Sequence, residues 1–326
     1  MSRQNQPIIH VAAGADDNYT MPLAVLICSI LKKMNTESIL HFYILDGGID
    51  SKSRNRLTNV FNKCGKNKLN SLKWIQPDLS DIKHLPANGR PPSVYLPLLL
   101  PELLPPHCDK VIFLDCDLIL ETNIQKLWDH DTEENAIWAA RDVLIQTLSD
   151  VKGVKIYREL GGASDSPYFS SGVMVINLDF WRRKEIIRKA IDYLLQNVDT
   201  MYHCDQEALN AVLIDKWKEL DPRWNQQSSI YWPQVLPESE FTNSIIRRRN
   251  ELVNNPFIIH YLSPNKPWNY KCMHPKAHKF LYYLRESGWF SKPAWAMWWY
   301  SLYVKRFFWL CSDLRRTLNQ IKVREA

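Results

Sequence analysis

Short apolar runs alternate with longer stretches of helical periodicity along most of the chain. Strands are predicted for residues 8–13, 39–45, 71–75, 111–114, 137–140, 172–177 and 257–260, where apolar and β-branched side chains cluster. Helices are predicted for residues 21–33, 51–63, 182–197 and 205–214. Because strands and helices take turns, the pattern predicts an α/β fold with a mainly parallel sheet and helices on both of its faces.

The stretch KVIFLDCDLIL, residues 110–120, ends an apolar run with two aspartates, Asp115 and Asp117. Side chains alternate between faces along a strand, so the two carboxylates are predicted to project the same way. Two carboxylates so close together repel each other unless a cation lies between them. At the carboxyl end of a central strand, such a pair is well placed to hold a divalent metal and a ligand phosphate. A solvated strand end is the alternative, and Asp-x-Asp by itself does not decide between the two.

The charge of the 326-residue chain is unevenly placed. Its formal net charge is +6, but from Lys266 onward there are 12 Lys and Arg against 3 Asp and Glu, whereas residues 1–265 carry 29 against 32. The basic character therefore belongs to the C-terminal tail. We expect no nucleic-acid partner.

The cysteines and the N-terminus indicate a cellular compartment. Seven scattered cysteines, with no Cys-x-x-Cys pair, argue against a disulfide framework and a structural zinc site and suit a reducing cytosol. The first 20 residues lack the apolar core of a signal peptide. No run of 18 uncharged apolar residues occurs. We therefore expect a cytoplasmic protein.

A polar loop, GADDNYT, follows the first predicted strand at residues 14–20. In an open α/β sheet this loop faces the ligand crevice. Asp16, Asp17 and Asn18 can hydrogen-bond a nucleobase or a ribose, and Tyr19 can stack on a base. A polar turn that caps the next helix is the alternative.

A second polar segment, HYLSPNKPW at residues 260–268, follows the last predicted strand. His260 can complete a metal site with the two aspartates, because two carboxylates and an imidazole suit Mn²⁺ or Mg²⁺. Lys266 can neutralise a phosphate as a point charge. A core histidine and a solvated lysine are the alternative.

Two further segments, YFSSGVMVINLDFW at residues 168–181 and HCDQEALN at residues 203–210, carry polar residues beside apolar ones. Gly172 allows the backbone to approach a ligand closely. Asp205 and Gln206 open a predicted helix, where a carboxylate is also simply a favourable first-turn residue.

Taken together, the motifs ADDNY, FLDCD, FSSGVMVINL, DQEALN and HYLSPNKPW, in this order and spacing, resemble glycosyltransferase family 8. The resemblance runs from about residue 8 to residue 268, and bacterial lipopolysaccharide galactosyl- and glucosyltransferases look most similar. It implies a GT-A fold over residues 1–275 and a retaining transfer of galactose or glucose from a UDP-sugar. The implied acceptor is a hydroxyl group of a glycan or a lipid-linked saccharide, as in lipopolysaccharide or surface polysaccharide synthesis.

The resemblance also assigns roles to individual residues. It implies a metal, Mn²⁺ or Mg²⁺, held by Asp115, Asp117 and His260, with Lys266 on the diphosphate. It places Asp16, Asn18 and Tyr19 in the uridine-binding loop, Asp142 against the donor sugar, and Asp205 and Gln206 beside the reacting anomeric carbon. The expected donor-binding set also includes Asp17, Cys116, Ser170, Ser171 and Ser263, and the expected catalytic set is Gln206, Asp205 and Asp142.

One position departs from the family pattern. Pro97, in SVYLPLLLPELLP, stands where family members usually carry an arginine, and proline offers neither a donor nor a charge. Ser170 and Ser171 replace a common Asn-Ala, which is a milder change. Pro97 motivates an alternative interpretation, a UDP-sugar-binding protein with weak or lost turnover. A haloacid-dehalogenase-like phosphatase also has Asp-x-Asp after a strand, but it leaves ADDNY and HYLSPNKPW unexplained.

Retention of configuration allows two routes. A covalent intermediate needs a nucleophile near the anomeric carbon. Gln206 is a poor nucleophile, and Asp205 is a stronger one of uncertain reach. Attack by the acceptor on the same face as the departing diphosphate needs neither residue, and we favour that route.

The tail, residues 276–326, is basic and rich in tryptophan. Residues 294–304 form an apolar run too short to span a bilayer, followed by Lys305 and Arg306. Tryptophan and tyrosine prefer the headgroup interface, and Lys and Arg attract anionic lipids. We therefore expect a helical extension that docks the protein on the anionic inner face of the membrane. A helix packed on the catalytic domain or in a dimer interface is the alternative.

Overall fold

The computed structural model describes residues 6–324, apart from positions 68, 81, 86, 88, 133 and 263, and gives only the backbone for residues 315–324. The strands are Ile8–Ala15 (β1), Ile39–Asp46 (β2), Ser71–Ile75 (β3), Lys110–Leu114 (β4), Leu118–Leu120 (β5), Ile137–Arg141 (β6), Phe169–Asn177 (β7), Trp217–Glu219 (β8), Gln226–Gln227 (β9) and Ile258–His260 (β10). The α-helices are Thr20–Lys33 (α1), Ser51–Cys64 (α2), Leu100–Leu103 (α3), Gln125–Trp128 (α4), Leu178–Arg183 (α5), Ile186–Gln196 (α6), Cys204–Val212 (α7), Glu240–Asn254 (α8), Ala277–Ser287 (α9) and Lys292–Arg324 (α10).

Seven strands form the central sheet, in the order β3-β2-β1-β4-β7-β6-β8. The pairs β3–β2, β2–β1, β1–β4 and β6–β8 are parallel, and only β7 runs antiparallel to its two neighbours. The predicted α/β fold with a mainly parallel sheet is therefore confirmed.

Both faces of the central sheet are covered, which explains why its strands read as continuous apolar runs. Along β1, Val11 and Ala13 face one core together with α1, α2 and α9, whereas Ala12 faces the other. The second core contains residues of α5, α6 and α7. All nine residues of β7 are buried, as expected for a strand between two helical layers.

A second, smaller sheet lies beside the first and has the order β5-β10-β9. The chain leaves the central sheet at Leu114, turns through residues 115–117, and enters β5. Strand β10 pairs antiparallel with β5 and parallel with β9. The turn between β4 and β5 therefore joins the two sheets.

Residues 182–197 do not form the single helix predicted for them. Helix α5 ends at Arg183 and α6 begins at Ile186, because Glu185 between them has a left-handed backbone with φ of 53°. A residue in that conformation cannot continue a right-handed helix.

The predicted C-terminal helical extension is present as two helices. Helix α9 buries Phe280, Tyr283 and Leu284 in the core that contains α1. Helix α10 rests on that core through Trp295 and Trp298. The division into units of 1–275 and 276–326 stays a prediction. No helix within the described residues has an apolar stretch long enough to cross a bilayer.

Candidate active site

Three side chains converge where the two sheets meet. Asp115 and Asp117 lie in the turn after β4, and His260 is the last residue of β10, paired with Leu118 of β5. The backbone N–H of Asp115 donates to the carbonyl of Gly172, and that of Tyr261 to the carbonyl of Asp117. The two aspartates are therefore brought together by a turn, and the predicted cause, alternation along one strand, is wrong.

The geometry of this cluster fits a metal ion. Nε2 of His260 lies 3.3 Å from Oδ1 of Asp117 and 3.7 Å from Oδ2 of Asp115. One ligand atom from each of the three residues lies within 4.8 Å of the other two. Two carboxylates and an imidazole are a suitable donor set for Mn²⁺ or Mg²⁺.

Asn225 orients the imidazole of His260. Its Oδ1 lies 2.8 Å from Nδ1 and accepts the proton of that nitrogen, so Nε2 is the ring atom that faces the carboxylates. Nε2 is buried and has no hydrogen-bond partner among the described residues. Because Asn225 engages Nδ1, Nε2 is the atom available to a cation between the two carboxylates, so this orphaned atom supports a metal site.

Gly172 leaves room for the cluster. A Cβ at this position would stand 2.4 Å from Cε1 of His260 and 2.7 Å from Oδ2 of Asp115. Any larger residue would displace both side chains. The close approach predicted for Gly172 is thus to the cluster itself.

The charged groups of the cluster shift one another's pKa values. Burial raises the pKa of Asp115 to about 6, and the charge of Asp117 adds to the rise. Burial alone would raise the pKa of Asp117 too, but His260 and Lys266 together lower it. Nζ of Lys266 donates to Oδ2 of Asp117 over 2.5 Å and to the carbonyl of Tyr261 over 2.7 Å. Lys266 is therefore a fixed positive charge beside the carboxylate pair.

A cavity of about 810 Å³ opens above the cluster. Among the residues named in advance, those that line it are Asp16, Tyr19, Asp115, Cys116, Asp117, Asp142, Ser170, Ser171, Asp205 and Gln206. The cavity has the size of a small-molecule site. Ser263 lies outside the described residues.

Part of the polar loop after β1 turns away from the cavity. Oδ1 of Asp16 accepts from the backbone N–H groups of Asn18 and Tyr19 and so caps a short 3-10 helix, Asp17–Tyr19, whereas α1 itself begins without a side-chain cap. Oδ1 of Asp17 accepts from the N–H of Asp50, and neither Asp17 nor Asn18 is among the lining residues. The Tyr19 ring lines the cavity and meets Trp268 edge to face, with centroids 6.2 Å apart.

A network of hydrogen-bonded polar side chains lines the other side of the cavity. Nε2 of Gln206 donates to Oδ2 of Asp142 over 3.3 Å, and its Oε1 accepts from the N–H of Ser171 over 3.1 Å. Oγ of Ser171 donates to Oδ2 of Asp205. Burial, together with the charge of Asp115, raises the pKa of Asp205 to about 7, and burial also raises the pKa of Asp142. Cys116 donates from Sγ to the carbonyl of Gly14, which secures the turn.

The family model for glycosyl transferase family 8 matches residues 10–272. The chain belongs to this family. General stress protein A of Bacillus subtilis is 29% identical over 286 residues, which cover 86% of this chain and 95% of that protein. Lipopolysaccharide 1,3-galactosyltransferase of Salmonella typhimurium is 26% identical over 294 residues, 86% of this chain and 79% of that enzyme.

Solved structures agree with the family. The crystal structure of galactosyltransferase LgtC in complex with donor and acceptor sugar analogs superimposes with a TM-score of 0.73 at 26% identity, covering 87% of this chain and 98% of LgtC. The GT-A fold and the glycosyltransferase family, both expected from the sequence, are confirmed. The phosphatase interpretation has no support from these comparisons.

Sequence reasoning did not name two residues of this site. Arg90 lines the cavity, as Pro97 does, and Asn225 holds His260. Asn225 opens NQQSS, residues 225–229, whose first four residues are buried. This run of uncharged polar residues contains no Gly or Pro, which are typical of loops. It could have indicated a buried segment, in which each amide needs a specific partner. Arg90 lies in the Pro- and Gly-containing stretch PANGRPP, which reads only as a loop.

Proposed function

We propose that this family 8 glycosyltransferase transfers a hexose, galactose or glucose, from a UDP-sugar to a hydroxyl group of a saccharide acceptor. One observation carries the proposal: Nε2 of His260 and the carboxylates of Asp115 and Asp117 face one another below a cavity of about 810 Å³. Negative charge develops on the diphosphate as it leaves the sugar, and positive charge nearby stabilises it. This cluster of residues can hold a cation at that place.

Asp115, Asp117 and His260 would hold Mn²⁺ or Mg²⁺. When bound, the ion supplies positive charge to the diphosphate as it leaves the sugar. Lys266 adds a second positive charge, held in place by Asp117 and by the carbonyl of Tyr261. Because Asn225 fixes the imidazole, His260 needs no rearrangement to serve as a ligand.

The remaining residues of the cavity are assigned to the nucleoside and to the sugar. Asp16 and Tyr19 offer a carboxylate and an aromatic ring to the uridine. The donor sugar is assigned to the polar side chains on the other side of the cavity, which are Asp142, Ser170, Ser171, Asp205 and Gln206. Its linked hydrogen bonds hold several polar groups in fixed positions for the sugar hydroxyls.

Attack by the acceptor on the same face as the leaving diphosphate is the proposed route to retention. Both ends of the Gln206 amide are already hydrogen-bonded, to Asp142 and Ser171, and an amide is a poor nucleophile. Oδ2 of Asp205 accepts from Oγ of Ser171, and attack by the acceptor on the same face requires neither Asp205 nor Gln206 to form a bond to the anomeric carbon.

Arg90 favours an active enzyme over a binding protein without turnover. Pro97 brings no charge to the cavity, but Arg90 lines it and its positive charge acts on Asp115 and Asp205. Among the described lining residues, Arg90 is the one with a permanent positive charge. Arg90 is therefore assigned a contact to the donor in place of the arginine that Pro97 replaces.

The acceptor is proposed to be a lipid-linked saccharide, reached from the inner face of the membrane. One relative described above is named for action on lipopolysaccharide. Helix α10 exposes an aromatic and aliphatic stripe at spacings of three and four residues: Tyr300, Tyr303, Phe307, Leu310 and Leu314. Residues 292–324 carry seven Lys and Arg against one acidic residue, which suits an anionic lipid surface.

Turnover is tested by UDP release from a panel of UDP-sugars with saccharide acceptors, in the presence of Mn²⁺, Mg²⁺ or a chelator. We expect release from UDP-galactose or UDP-glucose that chelation abolishes and that Asp117→Asn reduces by about 100-fold or more. Asp199→Asn changes an exposed aspartate and should leave the rate unchanged. Binding of UDP-sugars without release from any of them would favour the binding protein.

Membrane docking is tested by sedimentation with anionic vesicles. The double variant Phe307→Ser and Phe308→Ser removes two exposed rings and should lower the bound fraction by about tenfold. Ser312→Ala, at an exposed position of the same helix, is the matched control. A change from dimer to monomer in the double variant, with vesicle binding intact, would instead assign α10 to a dimer interface.

A further inference from the structure

A second cavity, of about 750 Å³, lies where α10 leaves the catalytic domain. It shares no lining residue with the donor cavity. Five cationic side chains and one carboxylate line it: Lys32, Lys63, Lys66, Arg285, Lys292 and Glu286. Such a concentration of positive charge around one concave site attracts anionic ligands.

The protein itself balances only a small part of this charge. Lys32 pairs with Glu286. None of the other four cations forms an ion pair with a carboxylate among the described residues. The basic cavity therefore keeps a charge of +4 from its side chains.

Helix ends explain some of these cations, but not all of them. The helices α1, α2 and α9 all end beside the cavity, and each C-terminus carries roughly half a negative charge. Three such ends offset roughly 1.5 units of positive charge, so the cavity keeps a positive surplus of more than two units. The N-terminus of α10, at Lys292, adds positive potential instead.

The backbone is shaped to admit one of the cations. Gly288 ends α9 with φ of 72°, and a Cβ there would stand 2.5 Å from Nζ of Lys63. The ammonium group therefore occupies the space that a side chain would fill, at the wall of the cavity. Phe290 and Trp295 supply an apolar wall on the side from which α10 extends.

We propose that this basic cavity binds a phosphate monoester or diphosphate group. A surplus of more than two positive charges matches a dianion better than a monoanion. The aromatic wall and the adjoining α10 suit a ligand with an apolar portion, so a phosphorylated lipid headgroup and a free phosphate compound are the two sources that share this chemistry. The proposal does not depend on the proposed sugar transfer, because the two cavities are separate.

The test uses the full-length protein with two probes, inorganic pyrophosphate in solution and phosphatidylcholine vesicles that contain phosphatidic acid. Vesicles of equal surface charge made with phosphatidylserine measure general electrostatic attraction. The double variant Lys63→Gln and Lys66→Gln changes two exposed residues of the cavity. The double variant Lys184→Gln and Lys189→Gln makes the same charge change at exposed positions elsewhere.

We expect the cavity variant to bind pyrophosphate, phosphatidic acid vesicles, or both about tenfold more weakly than wild type, and the control variant to match wild type. A preference for phosphatidic acid over phosphatidylserine that the cavity variant loses identifies the lipid as the source. Pyrophosphate binding without that preference identifies a soluble phosphate compound. Equal losses in both variants, or no binding of either probe by wild type, would overturn the proposal. Unchanged UDP release in the cavity variant shows that its donor site is intact.

Discussion

Oδ1 of Asn225 accepts a 2.8 Å hydrogen bond from Nδ1 of His260, and this bond decides which ring nitrogen faces the two aspartates. Nδ2 of Asn225 is buried without a partner among the described residues. The amide group is thus used only as an acceptor. Its role is to hold the imidazole ring so that Nε2 of His260 is aimed at the turn after β4.

Replacement of Asn225 should weaken metal binding without removing a ligand. Asn225→Leu is expected to lower Mn²⁺ affinity by about 10- to 100-fold, because the bond that orients His260 is lost. Asn225→Asp keeps an acceptor oxygen at the same place and should retain most of the affinity. Titration calorimetry with Mn²⁺ measures both, and wild-type affinity in Asn225→Leu would show that the bond is dispensable.

Gly172→Ala should disable the site through a single added methyl group. The new Cβ would meet His260 and Asp115 at 2.4 Å and 2.7 Å, so both side chains must leave their positions. We expect kcat/KM to fall by about 100-fold, which corresponds to about 3 kcal/mol of lost transition-state stabilisation. Steady-state kinetics measures the loss, and circular dichroism checks that the sheet is retained. Wild-type kcat/KM would contradict the tight fit.

Arg90→Ala should act mainly on the donor. Loss of its guanidinium is expected to raise the KM for the UDP-sugar by about tenfold, as for a lost charge-assisted hydrogen bond. Arg90→Lys keeps the positive charge but lacks the planar guanidinium, so its KM should lie between those of wild type and Arg90→Ala. Arg188→Ala removes an exposed arginine of α6 and serves as the control. An unchanged KM in Arg90→Ala would show that Arg90 does not replace the arginine that is missing at Pro97, and would favour the interpretation of weak donor binding.

His274 should make the protein less stable in mild acid. Burial among Tyr231, Trp232 and Tyr261 lowers its pKa from 6.5 to about 4. Below pH 6.5 the unfolded chain takes up the proton and the folded one does not, so stability is lost as the pH falls towards 4. From pH 7 to pH 5 we expect a loss of about 2 kcal/mol from this residue.

Urea unfolding at the two pH values measures that loss in wild type and in His274→Gln. The glutamine cannot take up a proton, so the variant should show a smaller difference between pH 7 and pH 5, whatever its stability at neutral pH. Equal differences in both proteins would assign the acid sensitivity to other groups.

The sequence predicted every strand of the central sheet except β8, because these strands are apolar runs separated by periodic helices. The strands β5, β8 and β9 were missed, since two or three residues contain too little periodicity to recognise. Glu185 was missed for a different reason: a left-handed glutamate in a helical pattern has no local sequence cue.

At the site, the sequence could predict residue types but not their contacts. Asp115, Asp117 and His260 were named from the residues that surround them, and the structure brings them together. Asn225 and Arg90 were not, because their importance arises from partners far away in the chain. Asn225 is 35 residues from His260, and only the pairing of β9 with β10 makes them neighbours.

The pairing of His260 with Leu118 across β10 and β5 has a consequence for folding. A slip of one residue would place Ile259 or Tyr261 opposite Leu118, and the imidazole would point to the other face of the small sheet. A cation between Asp115 and Asp117 would therefore recruit His260 only in chains whose strands are in the correct register. An ion that bound only the correctly paired chain would stabilise that pairing over its competitors, and occupancy of the site would then act as a check on strand assembly.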